Sequence, residues 1–429
     1  MKRVLLIVMD GVGIGWAPDA GRYGDEGSNT LGHIASEIGV LNLPNFEALG
    51  LGDLLDSSFG LGQTTSRAVT ESTSYRLFAS LCPRFWATAR LRKSSPGKDS
   101  MTGHWELAGL EVDFEFKTFP QGFPQEVIGE FERRIGRKVL GNVPASGTEI
   151  IERLGREHIS TGSPIVYTSQ DSVFQIAAHK DVIALDELYR ISEIAREILV
   201  GPYLVGRVIA RPFVGAPGAF RRTPERRDFS VKPPGRTVLD LAKESGLNVW
   251  GIGKIEDLFA GEGLTESFHT AGNHEGIELC KRFLKEGKEG LAACNLVDFD
   301  TLYGHRNDVQ GFYRALVEFD DAISKIISLL GNDDLLLITA DHGCDPTFPG
   351  TDHTREDVPL LVYGSPKPPP GPPKREGKCE EGDYKPQKAP TMLGLRKMAD
   401  VGATIAEFFG LGPTAFGKPF LKEASKNPT

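Results

Sequence analysis

Acidic and imidazole side chains follow three short apolar runs of the sequence. The runs and the residues after them are Val4–Met9 with Asp10, Leu291–Val297 with Asp300, and Leu335–Thr339 with Asp341 and His342. His305 and His353 come a few residues later, in the segments DTLYGH and TDHTRE. Short continuous apolar runs are typical of buried parallel strands, and ligands bind outside the carboxyl ends of such strands. We therefore expect these polar side chains to meet at one edge of a sheet.

Three carboxylates and three imidazoles are a donor set suited to metal ions. They make two sets of three ligands with open positions, and two metals roughly 3.5–4 Å apart can clamp both oxygens of a phosphoryl transfer. Carboxylate and imidazole suit Mn²⁺ or Zn²⁺, and the carboxylate share and the absence of thiolate favour Mn²⁺. Taken singly, each Asp could be a turn residue and each His a structural residue. Their recurrence at three predicted strand ends favours metal binding.

Two hydroxyl groups lie in the segment Gly97–Gly109, which reads GKDSMTGHWELAG. Ser100 and Thr102 are there among charged and imidazole side chains. A covalent phosphoryl-enzyme needs an alkoxide, which metal coordination can supply at neutral pH. The alternative interpretation is an ordinary Ser/Thr helix start. Spacing alone does not distinguish the two hydroxyls as nucleophile.

Alternating strand and helix patterns place these residues in an α/β domain with a largely parallel sheet. The patterns between the strands are helical at Glu275–Glu286 and Phe312–Leu330. The middle of the chain differs, with helical periodicity at Pro124–Arg137, Thr148–Arg156 and Leu185–Val200 and strand patterns at Ser163–Thr168 and Leu204–Ile209. We interpret residues 115–231 as an inserted α+β cap, with core segments at 1–114 and 232–429. Two stretches without clear periodicity, Thr64–Ser95 and Ser365–Pro390, are interpreted as surface decoration.

Composition limits the classes of function. The 429 residues carry 49 Lys and Arg against 58 Asp and Glu, a net charge of −9. This balance disfavours nonspecific nucleic-acid binding but permits an anionic small substrate. The five cysteines include no CxxC pair, so neither a disulfide framework nor a thiolate zinc site is expected, and a reducing cytoplasm fits. The first apolar run is too short for a signal peptide or a membrane span.

The whole chain resembles the phosphopentomutase family of the alkaline phosphatase superfamily. The matching stretches occur in family order and include VMDGVGIGWAPDA, GKDSMTGHWELAG, IVYTSQDSVFQIAAH, VGRVIARPFVGAPG, GIGKIEDLFAGEG, NLVDFDTLYGHRND and ITADHGCDPTFPGTDHTRE. Such collinearity is far more specific than any one motif. The resemblance implies an alkaline-phosphatase-like core, with a largely parallel sheet flanked by helices, and an inserted smaller α+β cap.

The resemblance also implies two Mn²⁺ ions, with Zn²⁺ or another divalent metal as the alternative. The implied ligand sets are Asp10, Asp341 and His342 for one ion, near the nucleophile, and Asp300, His305 and His353 for the other. The family nucleophile is usually the Thr directly after the Asp of the GKD motif, and this position is Ser100 here. Cys344 stands where the family usually has Asn.

The implied reaction moves phosphate between C1 and C5 of ribose or deoxyribose, through a phosphoserine enzyme and a sugar 1,5-bisphosphate that also serves as activator. The expected substrate contacts are Ser169, Asp171, Arg207, Lys254 and Arg222. Arg suits bidentate phosphate contacts, although for Arg222 a solvated surface is an equal alternative. No nucleic-acid or membrane partner is expected. The alternatives are a metal-dependent phosphatase, another phosphosugar mutase of the superfamily, or a metal-stabilised binding protein without turnover.

Overall fold

The computed structural model describes residues 1–55, 85–169, 172–364 and 389–424. These residues form two compact units. The first takes in Met1–Asp113, Pro233–Glu256 and Gly261–Thr429, and the second takes in Phe114–Lys232 and Asp257–Ala260. Asp171 lies outside the described residues, as do most of Thr64–Ser95 and nearly all of Ser365–Pro390.

The described elements alternate between strands and helices along much of the chain. The strands are β1 (Arg3–Met9), β2 (Phe85–Arg92), β3 (Leu140–Pro144), β4 (Ile165–Thr168), β5 (Val173–His179), β6 (Arg207–Val214), β7 (Arg221–Arg222), β8 (Arg227–Ser230), β9 (Asn248–Ile252), β10 (Glu266–Phe268), β11 (Gly290–Leu296), β12 (Asp334–Thr339), β13 (Val358–Gly364) and β14 (Thr391–Lys397). The α-helices are α1 (Thr30–Ile38), α2 (Pro44–Ala48), α3 (Ser100–Leu107), α4 (Gln125–Ile135), α5 (Gly147–Thr161), α6 (Leu185–Ile198), α7 (Val238–Glu244), α8 (Ile255–Phe259), α9 (Asn273–Glu286), α10 (Val309–Ser328), α11 (Ala399–Phe409) and α12 (Leu421–Ala424).

A sheet with strand order β10-β9-β11-β1-β12-β13-β2-β14 forms the core of the first unit. The pairings from β10 to β12 are parallel, whereas β13 runs antiparallel to both of its neighbours. In the centre, Val8 of β1 lies beside Asn295 of β11 and Thr339 of β12. All residues of these three strands are buried, which explains their continuous apolar sequence. Their carboxyl ends therefore meet at one edge, and the predicted α/β core with a largely parallel sheet is confirmed.

The structure corrects the interpretation of the end of Thr64–Ser95. Phe85–Arg92, which we interpreted as polar surface, is the buried strand β2. The two arginines of the strand interrupt its apolar sequence pattern. They can nevertheless lie in a buried strand because both guanidinium groups pair with one buried carboxylate. Atoms of Arg90 and Arg92 lie 3.7 and 2.8 Å from Asp357 Oδ2. Charged residues in a strand are compatible with burial when such a partner is present.

The second unit contains a sheet with strand order β3-β4-β5-β6-β7, in which β8 also pairs with β6. Successive residues of β4 point to opposite faces, as strand geometry requires. Val166 packs in one apolar cluster with Phe131 of α4 and Ile191 of α6, whereas Ile165 packs with Ile150 of α5 in another. The predicted strand Leu204–Ile209 begins later than expected, at Arg207, because Gly201–Tyr203 form a 3-10 turn before it.

Candidate metal centre

The carboxyl ends of β1, β11 and β12 carry the predicted acidic residues into the interior of the first unit. Asp10, Asp300 and Asp341 are at most 2% exposed. Asp300 lies on a short π-helical turn, Phe299–Tyr303, which follows β11 closely, and His305 lies on the 3-10 turn after it. Buried carboxylates are costly unless a cation or hydrogen-bond donors face them. The partners of these three groups therefore decide what the site can do.

Each of the three predicted histidine ligands uses its Nδ1 atom in the same way. The Nδ1 atoms of His305, His342 and His353 lie 2.7, 3.0 and 2.9 Å from the backbone carbonyl oxygens of Thr351, Gly343 and Lys98. A carbonyl oxygen only accepts hydrogen bonds, so each Nδ1 carries the proton. The Nε2 atom of each ring is then the one that can bind a metal.

The three Nε2 atoms point at the carboxylates. Those of His305 and His353 both lie 3.2 Å from Asp300 Oδ1. The Nε2 atom of His342 lies 3.2 Å from Asp341 Oδ2 and 3.3 Å from Asp10 Oδ1. The rings themselves stack, with centroids 4.9 Å apart for His305 and His353 and 3.8 Å apart for His342 and His353.

Several of these donor atoms are buried and have no hydrogen-bond partner in the described structure. They are Asp10 Oδ1, Asp300 Oδ1, Asp341 Oδ2 and His353 Nε2. Buried polar atoms are normally satisfied, so their convergence fits a site for cations. The donor atoms of Asp10, Asp341 and His342 lie within 4.8 Å of one another, and those of Asp300, His342 and His353 do so as well. The structure thus brings all six predicted ligands together.

The ionisation of the side chains in the site also favours the binding of a cation. Burial lowers the pKa of His342, but the negative charges of Asp341 and Asp10 outweigh it and hold that pKa well above its ordinary value. Burial raises the pKa of Asp300, yet the charges of His353 and Lys254 hold it well below the usual range. The Asp300 carboxylate therefore stays ionised and attracts a cation.

Ser100 and Thr102, which spacing alone did not distinguish, differ in their surroundings. Ser100 is partly exposed as the first residue of α3, and its Oγ atom lies 2.9 Å from His342 Nε2. Thr102 is fully buried, and its hydroxyl donates to Asp99 Oδ2 at 2.6 Å. Asp99 also accepts from the Thr102 backbone and so caps α3. Thr102 therefore contributes to the helix cap, while Ser100 faces the candidate ligands.

Comparisons with known proteins also indicate a metalloenzyme. A family model for the metalloenzyme superfamily matches residues 2–413. A phosphopentomutase of Caldanaerobacter subterraneus subsp. tengcongensis is 54% identical over 424 residues, which cover 99% of this chain and 98% of the relative. A phosphopentomutase of Dictyoglomus turgidum is 52% identical, with 99% of each chain covered. The chain belongs to the phosphopentomutase family.

Family membership confirms three predictions made from the sequence. The resemblance is real, the core is of the alkaline phosphatase type, and the chain is an enzyme of the isomerase class. Binding of a divalent metal follows from the superfamily and from the donor groups described above.

Solved structures with low sequence identity also match. A Leishmania mexicana phosphoglycerate mutase is 14% identical, with a TM-score of 0.40, and the match covers 97% of this chain and 96% of that one. The alkaline phosphatase of the Antarctic bacterium TAB5 is 12% identical, with a TM-score of 0.34 and coverage of 96% and 98%.

Among the described residues, no helix is both long and apolar enough to cross a membrane.

Lys254 lies inside the candidate metal site of this chain. Its Nζ atom donates to Asp10 Oδ2 at 2.8 Å and lies 3.4 Å from Asp300 Oδ2. The ammonium group thus spans carboxylates of both predicted metal sets. Its contact with substrate stays a prediction.

The predicted substrate residues of the second unit lie on or beside its sheet. Arg207 lies on β6, with its Nη1 atom 3.6 Å from Asp228 Oδ2, and Arg222 is exposed on β7. Ser169 follows β4 and is partly exposed. Burial, followed by the charge of neighbouring arginines, lowers the pKa of Arg211 on the same sheet. These substrate contacts stay predictions.

Sequence reasoning missed the residues that hold the ligand loops in place. The buried carboxylate of Glu356 accepts hydrogen bonds from the Gly15 and Thr30 backbones at 3.0 Å each and from the Thr354 hydroxyl at 2.7 Å. A Cβ atom on Gly343, next to His342, would lie 2.5 Å from this carboxylate. The signal was present in TDHTRE, where Glu356 follows His353 by three residues.

Arg355 performs a similar task for the loop that precedes Ser100. This guanidinium is buried, and its Nη1 atom donates to the carbonyl oxygens of Ser95 and Gly97 at 2.9 and 2.7 Å. Its Nε and Nη2 atoms bind the carboxylate of Asp19 at 3.1 and 3.0 Å. Arg355 thus fixes the chain just before the candidate nucleophile, and it lies two residues after the predicted metal ligand His353.

Proposed function

We propose that this enzyme interconverts the 1-phosphate and 5-phosphate of ribose or deoxyribose through a phosphoserine enzyme and a sugar 1,5-bisphosphate. One observation carries the proposal. The Ser100 hydroxyl lies 2.9 Å from His342 Nε2, within a cluster of three carboxylates and three imidazoles. This arrangement occurs in a chain that is about half identical to phosphopentomutases over nearly its whole length.

The proposed ligand sets are those implied by the family. Asp10, Asp341 and His342 would hold one divalent ion, and Asp300, His305 and His353 would hold the other. The bound ions would supply positive charge that stabilises the transferring phosphoryl group and favours the ionised Ser100 hydroxyl. The orphaned oxygens of Asp10, Asp300 and Asp341 support this assignment.

Ser100 is the proposed nucleophile, and its place at the start of α3 supports the role. The dipole of a helix N-terminus favours a phosphate group there. Phosphate on Ser100 Oγ would pass to a sugar monophosphate hydroxyl and give the bisphosphate. The bisphosphate would then turn, and its other phosphate would return to Ser100. Both transfers exchange one P–O bond for another, so the enzyme ends phosphorylated, as it began.

The second unit is proposed to recognise the sugar phosphate through Ser169, Asp171, Arg207 and Arg222. Arginine binds phosphate oxygens in a bidentate manner, and hydroxyl and carboxylate groups bind ribose hydroxyls. Lys254 of the first unit is proposed to contact the substrate as well. Its ammonium group lies 2.8 Å from the candidate ligand Asp10, so a phosphate bound to the ions would lie close to this ammonium group.

The product pattern tests this function. Ribose 5-phosphate is incubated with Mn²⁺ and a catalytic amount of sugar bisphosphate, and ribose 1-phosphate and free phosphate are measured together. Ribose 1-phosphate without free phosphate, abolished in Ser100→Ala, is the expected result. Free phosphate alone would reassign the chain as a phosphatase of the same superfamily. Full activity in Ser100→Ala would move the nucleophile elsewhere.

A further inference from the structure

A cysteine thiol lies beside the carboxylate and imidazole that are proposed for the second ion. The Sγ atom of Cys344 and donor atoms of Asp300 and His305 lie within 4.8 Å of one another. Cys344 is 1% exposed and follows His342 by two residues. Within the described part of the chain, the buried thiols of Cys280 and Cys294 belong to no such group.

The backbone around Cys344 holds the thiol against this site. A Cβ atom on Gly304 would lie 2.5 Å from Cys344 Sγ, and one on Gly11 would lie 2.8 Å from Cys344 Cβ. Glycine at both positions therefore leaves the room that the cysteine side chain occupies. The Cys344 backbone donates to the Thr30 hydroxyl at 3.2 Å, which in turn donates to Glu356 at 2.8 Å. These contacts fix where the side chain starts.

A second observation points to a ligand in the same place. Asp300 Oδ1 is buried without a hydrogen-bond partner, and the Nε2 atoms of His305 and His353 lie 3.2 Å from it. An oxygen in this position is normally satisfied by a donor or a cation. The sulfur atom therefore belongs to a convergent group of donor atoms.

We propose that Cys344 Sγ joins Asp300 and His305 as a ligand of the second metal ion, and that this site prefers Zn²⁺ or Co²⁺ to Mn²⁺. The inference rests on the two-metal part of the proposed function and is independent of its phosphoryl chemistry. Thiolate is a soft ligand that selects zinc-like ions, whereas Mn²⁺ suits oxygen donors. The Mn²⁺ expectation assumed a donor set without sulfur.

The binding step balances without any oxidant. The Cys344 S–H bond breaks, its proton passes to solvent, and the sulfur electron pair forms the bond to the ion. No atom changes its oxidation state. The metal alone is therefore a sufficient probe.

Cobalt binding to the metal-free full-length protein tests the proposal. Equilibrium dialysis measures the stoichiometry, and near-ultraviolet absorption detects sulfur-to-cobalt charge transfer. We expect two Co²⁺ per chain and a charge-transfer band that is absent in Cys344→Ser. The band should persist in Cys82→Ser, Cys379→Ser and Cys280→Ala, which keep Cys344. Serine retains the size of the side chain but is a poor soft ligand.

Each outcome separates this inference from the proposed function. Two bound Co²⁺ ions without the band would overturn the sulfur ligand and leave the metal centre intact. A band that survives in Cys344→Ser would also overturn it, because another sulfur would be responsible. Absence of cobalt binding would refute both proposals. In competition experiments, Cys344→Ser should lower the preference for Zn²⁺ over Mn²⁺, because an oxygen donor replaces the soft sulfur. An unchanged preference contradicts the inference.

Discussion

The Nδ1 atom of His353 lies 2.9 Å from the carbonyl oxygen of Lys98, two residues before Ser100. One hydrogen bond thus links a proposed metal ligand to the loop that carries the proposed nucleophile. Because Lys98 can only accept at this oxygen, the bond also fixes the His353 tautomer that leaves Nε2 free for metal. The position of the proposed nucleophile Ser100 and the orientation of the His353 ring are therefore coupled.

Glu356→Gln should weaken metal binding although residue 356 is not itself a proposed ligand. The carboxylate accepts from the backbone and hydroxyl of Thr30 and from the hydroxyl of Thr354, and an amide keeps only one accepting oxygen. We expect a loss of about 1–3 kcal/mol in the free energy of unfolding and about a 10- to 100-fold loss of metal affinity. Calorimetry measures both.

The matched control is Glu278→Gln, which removes an exposed carboxylate that pairs with Lys281 on α9. The free energy of unfolding should change by less than about 0.5 kcal/mol, and metal affinity should not change. Equal effects of the two substitutions would show that Glu356 has no special link to the ligand loops.

Metal affinity should rise with pH through the titration of His342. The charge of Asp341, acting against burial, raises the pKa of this imidazole well above its ordinary value, so the metal-free site holds a proton on it at neutral pH. Metal binding needs the neutral ring and therefore releases that proton. Affinity should increase as pH rises toward the elevated pKa. Titration calorimetry in buffers of different ionisation enthalpy measures the protons released; a value of zero at neutral pH contradicts this reasoning.

The second unit should lose stability in mild acid because of His158. Its Nδ1 atom lies 2.7 Å from the Ser163 carbonyl oxygen and must donate, while its Nε2 atom accepts from the His179 backbone at 2.8 Å. The ring is thus held neutral, and burial lowers its pKa. Since the unfolded chain binds the proton more readily, stability is complete above about pH 6.5 and falls as pH drops through the lowered folded value.

Chemical unfolding between neutral and mildly acidic pH, followed for wild type and His158→Gln, measures this effect. The variant should be less stable at neutral pH and should show a smaller decrease in acid. His274→Gln is the control, since His274 is exposed on α9. An identical pH slope in His158→Gln and wild type would remove His158 as the cause.

Gly304→Ala should strain the turn that carries His305. Gly304 has φ −57°, which alanine adopts readily, so the effect comes from the contacts of its new Cβ, of which the shortest is with Cys344 Sγ at 2.5 Å. We expect a loss of about 1–3 kcal/mol in the free energy of unfolding. Cys344→Ala in the same chain should recover part of it.

Gly129→Ala on α4 serves as the control, because a Cβ atom there meets nothing within 4 Å. Its free energy of unfolding should stay equal or increase slightly. Additive losses in Gly304→Ala and Cys344→Ala, measured by denaturant unfolding, would show that the two side chains do not meet.

The sequence predicted best those features that a repeated local pattern encodes. The apolar runs of β1, β11 and β12 are each followed within three residues by an acidic residue of the site, and in parallel neighbours this pattern is enough to place Asp10, Asp300 and Asp341 together. The strand β2 was missed because its arginines are neutralised by Asp357, which is remote in sequence. Pairing across such distances leaves no local periodicity.

Details of the candidate site were harder to predict from the sequence for the same reason. The distinction between Ser100 and Thr102 depends on hydrogen bonds to His342 and Asp99, which spacing does not reveal. Cys344 follows a recognised ligand motif, yet its approach to Asp300 depends on glycine on a different loop. Tertiary contacts of this kind require the folded chain.

Mapping of the phosphorylated residue tests the central claim most directly. The enzyme is incubated with Mn²⁺ and a sugar bisphosphate carrying labelled phosphate, quenched in acid, digested and analysed by mass spectrometry. The account predicts label on Ser100 and its loss in Ser100→Ala, with the same label retained in Thr102→Ser. Label on Thr102, or turnover to ribose 1-phosphate without any labelled enzyme, would contradict it.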